Sequence, residues 1–292
     1  MRKIIIFLFL IIGLNPNIYC GESGRKRPST SSSGEQRKRR CGSYRYPPRG
    51  GEPFLLSRAK IELFMQCPRC FYLNCRYGIR RPGEGGFGLQ KEADETLKRE
   101  FDLYRDPQQL HALFQLYNLN FVPFQHKDID KWRDGLNAGL EYYDKGKNFL
   151  ITGAIDDIWM DRDTNNLIIV DYKTTSKDEA VVYDNYVRQV AIYQWLLKKT
   201  YPPVSKTAYF LFCKTKKSKR FMSWNLELAV ELEGALKFDI SLIPCEIDDS
   251  WVDREIQKIY DCLELDSVPR SGRNYKGGPC DYCKYAQVAA RY

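Results

Sequence analysis

Two Cys-x-x-Cys pairs, Cys67-Pro-Arg-Cys70 and Cys280-Asp-Tyr-Cys283, stand far apart in this 292-residue chain. Two residues between thiolates let both sulfurs turn onto one soft ion or cluster. If the pairs share that ion, the 209 residues between Cys70 and Cys280 form a closed loop whose two ends must meet. The spacing therefore predicts one four-thiolate metal site, with unrelated buried thiols or disulfides as the alternatives. All told there are ten cysteines, an even number that a secreted, disulfide-bonded chain would also show. Cys213, Cys245 and Cys262 lie in apolar contexts and are expected in the core.

A chain tied at both ends needs a core to close around. Apolar residues make up 43% and aromatics 14%, which excludes global disorder, a collagen-like repeat and a coiled coil. The net charge of +9 is not spread evenly. Residues 1–56 hold 11 Lys/Arg against 3 Asp/Glu, and residues 57–292 hold 35 against 34. The basicity belongs to the leader, so overall charge is no argument for nucleic-acid binding.

That leader, residues 1–56, opens with Arg2-Lys3 and the apolar run Ile4–Leu14, the layout of a secretory signal. The run is too short to span a bilayer. A Ser-rich, Arg-rich linker follows. The leader is expected to be dispensable and residues 57–292 to form the working domain. A cytoplasmic location is expected, with secretion as the alternative if the signal is real.

From Ser57, a helix N-cap by pattern, elements alternate. Helices are expected over Leu89–Tyr104, about Asp128–Asp144, Asp178–Lys199 and Asp249–Leu265. Strands are expected over Phe149–Met160, Leu167–Thr174, Lys206–Cys213 and Ala235–Ile243. The order indicates an α/β fold with a mixed sheet.

The chemistry gathers on one strand pair. In Ile168-Ile169-Val170-Asp171-Tyr172-Lys173 an apolar strand ends in an acid and a base two residues apart, hence on one face. It is the only Asp/Glu-x-Lys in the chain. The preceding strand carries Gly153-Ala-Ile-Asp156-Asp157, and a short turn would set Asp156 beside Asp171. Two adjacent carboxylates repel unless a cation lies between them. Lys173 at the same point completes a set suited to metal-assisted phosphodiester hydrolysis.

The series Gly153-x-x-Asp156, Asp171-x-Lys173, Gln189-x-x-x-Tyr193 resembles the PD-(D/E)XK nuclease superfamily, in its RecB-like branch. The opening Ser57-x-x-x-Ile61 with Cys67-Pro-Arg-Cys70-Phe71-Tyr72-Leu73, and the late cysteine pair, are similar to its iron–sulfur members, including CRISPR-associated RecB-like exonucleases. The resemblance covers about residues 57–285. It implies a restriction-endonuclease-like core, a central mixed β-sheet flanked by helices, and a Mg²⁺- or Mn²⁺-dependent deoxyribonuclease. It also implies that Asp156 and Asp171 bind the metal, Lys173 serves the attacking water, and Gln189 and Tyr193 hold the site and the DNA.

Two departures stand out. Where the branch usually offers a His on an early helix, this chain has Asp94, with Glu92 and Glu95 as rivals; His111 and His126 lack the setting. The cysteines divide two and two rather than one and three, so Zn²⁺ fits as well as a 4Fe–4S cluster. No Gly-x-x-x-x-Gly-Lys-Ser/Thr loop is present, so any helicase or repair partner would be another chain. A nuclease-fold module that binds nucleic acid or a protein without cutting is the alternative reading.

Overall fold

Ser57 ends one strand and caps the helix that follows. Its hydroxyl accepts from the Lys60 N–H at 3.3 Å, satisfying a donor left over at the helix start. The strand, β1 (Phe54–Ser57), and the helix, α1 (Arg58–Gln66), open a computed structural model. The structure describes residues 43–48, 51–82, 88–135, 138–201, 203–216, 222–224, 232–234, 236–274 and 276–291. The apolar run and basic linker of the leader lie outside them, and among them no helix is long and apolar enough to cross a membrane.

Next come α2 (Pro68–Tyr72), a π-helical turn (Leu73–Tyr77), α3 (Gly88–Arg105), α4 (Ala112–Leu116), β2 (Phe121–Pro123), α5 (Ile129–Arg133) and β3 (Leu140–Asp144). Then follow β4 (Phe149–Gly153), β5 (Asp157–Asp161), β6 (Leu167–Thr175), α6 (Asp184–Lys198) and β7 (Thr207–Thr215). The chain closes with β8 (Met222–Trp224), β9 (Leu232–Gly234), β10 (Phe238–Glu246), α7 (Val252–Leu263) and α8 (Asp281–Ala289).

The central sheet has strand order β10-β7-β6-β5-β2, and a smaller sheet has order β1-β4-β3. Both are mixed. β6 runs parallel to β7 and β1 parallel to β4, while the other pairings in these sheets are antiparallel. The expected α/β class, a mixed sheet flanked by helices, is what the chain forms.

β6 is buried on both faces, which is why its apolar run is unbroken. Leu167 and Ile169 pack into a core with α1, α6, α7 and the smaller sheet. Ile168, Val170 and Tyr172 pack on the other side with Phe101, Phe114, Phe121 and Trp159. Asp171 and Lys173 continue the Ile169 face and so meet α6.

Several expectations need correction. The strand expected over Phe149–Met160 is two strands in two sheets. The chain leaves the smaller sheet after Gly153 and enters the central one at Asp157. The helix expected over Asp128–Asp144 is the short α5 followed by β3, whose partner is β4. α6 begins at Asp184 rather than Asp178, and the fourth expected strand runs Phe238–Glu246 rather than Ala235–Ile243. The boundary expected between residues 56 and 57 cuts across β1, whose Phe54, Leu55 and Leu56 are buried beside β4.

Candidate active site and four-thiolate centre

Asp171 sits at the heart of the site, fully buried on β6. Lys173 forms an ion pair with its Oδ2. Gln189 of α6 donates from Nε2 to the other oxygen, Oδ1, at 2.9 Å and to the Tyr193 hydroxyl at 3.1 Å. Gln189 and Tyr193 are one helical turn apart, so one helix face delivers both. Tyr193 reaches in over Gly153. A Cβ at Gly153 would fall 2.8 Å from the Tyr193 Cε1, so the glycine is needed for space.

Asp156 lies just before β5, one step beyond the Asp157–Val170 pairing, which sets it beside Asp171. Its Oδ2 accepts the Tyr172 N–H at 2.8 Å. Burial first, then the neighbouring charge of Asp171, push its pKa up to about 6. Burial raises Asp171 as well, against the pull of Lys173. Burial alone would lower Lys173; the charges of Asp171 and Asp156 reverse this and hold it protonated. Arg58 of α1 adds a further positive charge acting on Asp171.

A cleft of about 250 Å³ opens at this point, lined among others by Asp94 and Gln90 of α3, Lys173 and Tyr186. Asp94 is half-buried, whereas its rivals Glu92 and Glu95 are exposed. Lys98 bonds its Oδ2 at 2.7 Å, and its buried Oδ1 has no hydrogen-bond partner. Burial and then Asp156 raise its pKa. An orphaned buried oxygen beside two mutually repelling acids is the donor chemistry of a hard divalent cation. The three carboxylates are not drawn together as tightly as the cysteines. Among the described residues, only Cys67, Cys70, Cys280 and Cys283 form a ligand set with all atoms within 4.8 Å.

Asp157, one residue from Asp156, is a different kind of acid. It is fully buried and accepts from Arg105 and Arg133 at 2.7 Å each, from the Tyr172 hydroxyl at 2.9 Å and from the Ile158 N–H at 2.8 Å. Burial would raise its pKa, but Arg133 and Arg105 hold it below the usual range. It ties α3 and α5 to the central sheet, and nothing local in the sequence reveals its arginines. The histidines lie elsewhere. His111 caps α4, and His126 stacks on Trp132.

The cysteine pairs share one construction. Pro68 stops α1 and starts α2, leaving Cys67 as N-cap and Cys70 at the third helical position. Cys280 and Cys283 hold the same two places on α8. Cys-x-x-Cys is thus N-cap to third residue, twice. The sulfurs meet: Cys67 to Cys283 is 3.7 Å, Cys70 to Cys283 3.6 Å, and Cys70 to Cys280 3.9 Å. Burial would raise the Cys67 pKa, but the N–H groups of Cys70 and Gly272 bring it down to about 7. Gly272, absent from the expected residues, is required here. A Cβ on it would lie 2.3 Å from the Gln66 carbonyl oxygen and 2.6 Å from the Cys67 Cα. The four-cysteine cluster is compatible with a metal site. Of the other cysteines, Cys213 and Cys262 are buried as expected, Cys75 is buried too, and Cys245 is only half-buried; all eight described cysteines are unbridged.

A mixed sheet that sets an acid pair, with Asp171 fully buried, beside a lysine lining a cleft defines a class of enzyme core. The family model of the PD-(D/E)XK nuclease superfamily matches residues 87–288. The chain belongs to that superfamily, whose members are generally nucleases and use divalent metals. The match takes in Asp94, Asp156, Asp171, Lys173, Gln189 and Tyr193 with the late cysteines, and begins after Cys67 and Cys70. Comparison with curated proteins finds no match. Among solved structures, the crystal structure of SSO0001 is similar at 14% identity, covering 74% of this chain and 78% of that one, with a TM-score of 0.31. A likeness of that size carries no argument.

Proposed function

We propose that this chain is a Mg²⁺- or Mn²⁺-dependent deoxyribonuclease of the RecB-like type, cutting phosphodiester bonds at the Asp156–Asp171–Lys173 cleft. The observation that carries the reading is the division of labour around Asp171. One oxygen is fixed by Gln189, the other meets Lys173, and a second acid stands beside it. Asp156, Asp171 and Asp94 would hold a divalent cation, which would supply Lewis acidity toward the phosphate and lower the pKa of a water. Lys173, held protonated, stabilises negative charge that develops on the phosphate. Gln189, itself held by Tyr193, keeps Asp171 from turning. Purified chain with Mn²⁺ and labelled single- and double-stranded DNA tests this. Cleavage is expected, with its loss in Asp171→Asn; intact DNA at every metal concentration would contradict it.

At the four-thiolate centre the spacing favours Zn²⁺ over a 4Fe–4S cluster. Zn–S bonds of about 2.3 Å in a tetrahedron put sulfurs about 3.8 Å apart. The three closest contacts here are 3.6, 3.7 and 3.9 Å, and all four sulfurs lie within 4.8 Å of one another. A four-iron cluster spreads its thiolates over four different irons, at the outside of an inorganic cube, and needs wider separations. Elemental analysis is expected to give about one zinc per chain and a colourless protein. A brown protein with iron and sulfide would overturn the assignment.

A further inference from the structure

Beside the four-thiolate centre lies a second cleft, of about 460 Å³, that the catalytic reading does not use. Its lining includes Arg69, Arg80, Arg81, Ile79, Tyr282 and Tyr285, and contains no acid. Tyr285 is 72% exposed, a large aromatic surface left open to water. Arg81 is held by three contacts. Its guanidinium lies 4.5 Å from the centre of the Tyr282 ring, donates to Gln66 Oε1 at 2.8 Å, and donates to Cys280 Sγ at 3.4 Å. The thiolate centre thus holds an arginine–tyrosine stack at the wall of the cleft.

Exposed aromatic surface beside the guanidiniums of Arg69 and Arg80 suits a ligand that offers both ring faces and phosphates. Unpaired nucleotides have both, whereas a duplex hides its base faces in its own stack. The volume suits a ligand of one or two nucleotides, within the roughly 300–1,000 Å³ of ordinary ligand pockets. The cleft also sits within reach of the catalytic one. Pro82 lines the first and Gln90 of α3 lines the second. The eight chain steps from Pro82 to Gln90 span at most about 29 Å. A strand stacked at 3.4 Å per nucleotide covers that in about eight or nine.

We propose that this cleft is a subsite for single-stranded nucleic acid, where Tyr285 stacks on unpaired bases and Arg69 and Arg80 meet the phosphates. The proposal rests on the nuclease reading for its purpose: it holds the strand on one side of the cutting site.

Fluorescence anisotropy of the full chain, without added Mg²⁺ or Mn²⁺, tests it with a labelled oligo-dT of about 20 nucleotides and a blunt duplex of the same length. Wild type is expected to prefer the single strand. Tyr285→Ala should weaken that binding about 5- to 100-fold, the usual range for loss of one stacking platform. Tyr285→Phe should restore it and Tyr285→Leu should not, because stacking needs a ring. An unchanged melting temperature, expected for so exposed a residue, shows that the variants fold. Normal binding by Tyr285→Ala overturns the proposal. So does full rescue by Leu, which would mark an apolar protein-docking surface, or equal and equally sensitive binding of the blunt duplex. A wild type that binds the strand but never cuts with Mg²⁺ or Mn²⁺ keeps the subsite and removes the nuclease reading. One that cuts while Tyr285→Ala binds normally does the reverse.

Discussion

Asp156 and Asp157 are neighbours of the same chemistry, and exchanging each for Asn should have opposite consequences. Asp157 has no exposure, and its partners Arg105 and Arg133 have side chains only 5% and 7% exposed. Removing its charge leaves two buried guanidiniums short of their shared counter-ion. Breaking a buried pair in this way costs about 3–5 kcal/mol. Both arginines keep contacts to Asp102, at 2.8 Å and 3.0 Å, which places the expected loss near the lower end, about 3 kcal/mol. For a domain of this size that is a fall in Tm of about 6–12 °C. Asp156→Asn instead removes one of two repelling acids. Its stability without divalent metal should be held or raised, while cleavage is lost. Thermal melts in metal-free buffer and a cleavage assay on the same preparations read both quantities. If Asp157→Asn melts with the wild type, or if Asp156→Asn is the less stable of the two, the assignment of one acid to the fold and one to the site is wrong.

Truncation reads the same logic at the N-terminus. A chain beginning at Ser57 loses buried Phe54, Leu55 and Leu56, about 5–9 kcal/mol of apolar burial, and should fail to fold, whereas one beginning at Ser43 should melt like the full chain. A cooperative, wild-type-like melt from the Ser57 chain would refute this. Gly272→Ala drives a Cβ into the backbone at Gln66 and Cys67, and should lower metal content and stability together; undiminished metal content would contradict the close approach. Burial pushes the Cys213 and Cys262 thiols up to about 11, so the folded chain keeps protons that the unfolded chain releases near the ordinary value. Stability from these groups is present below about pH 9 and falls as pH rises toward 11. Urea midpoints at pH 8 and pH 10.5 should therefore drop less for Cys213→Ala than for wild type, and parallel curves would reject the cause.

What the sequence made legible was local or periodic. The Asp171-x-Lys173 step at the end of an apolar strand, and the four-residue step from Gln189 to Tyr193, each put two side chains on one face, and their contacts follow from that. The cysteine pairs were legible because each is a complete local device, a helix cap and its third residue. The misread stretches are those where tertiary pairing overrides local pattern. Phe149–Met160 alternates like one strand, but the chain turns between sheets at Gly153–Asp156, where Gly153 is the one local mark of a break. Around Asp128–Asp144, β3 is only five residues long and gains its identity from β4. Arg105, Arg133, Arg58 and Gly272 act across long stretches of chain, where neither spacing nor composition points to them.

On the proposed function, Lys173 and the acid pair form a hydrolytic centre rather than a strand-end ion pair. Single-turnover cleavage of labelled DNA by wild type and Lys173→Ala, at saturating protein and a fixed Mn²⁺ concentration, tests it most directly. Losing a buried charge that stabilises the reacting phosphate is expected to slow the chemical step by about 10²–10³-fold, with the strand still bound. Equal single-turnover rates for the two proteins would contradict the account at its root.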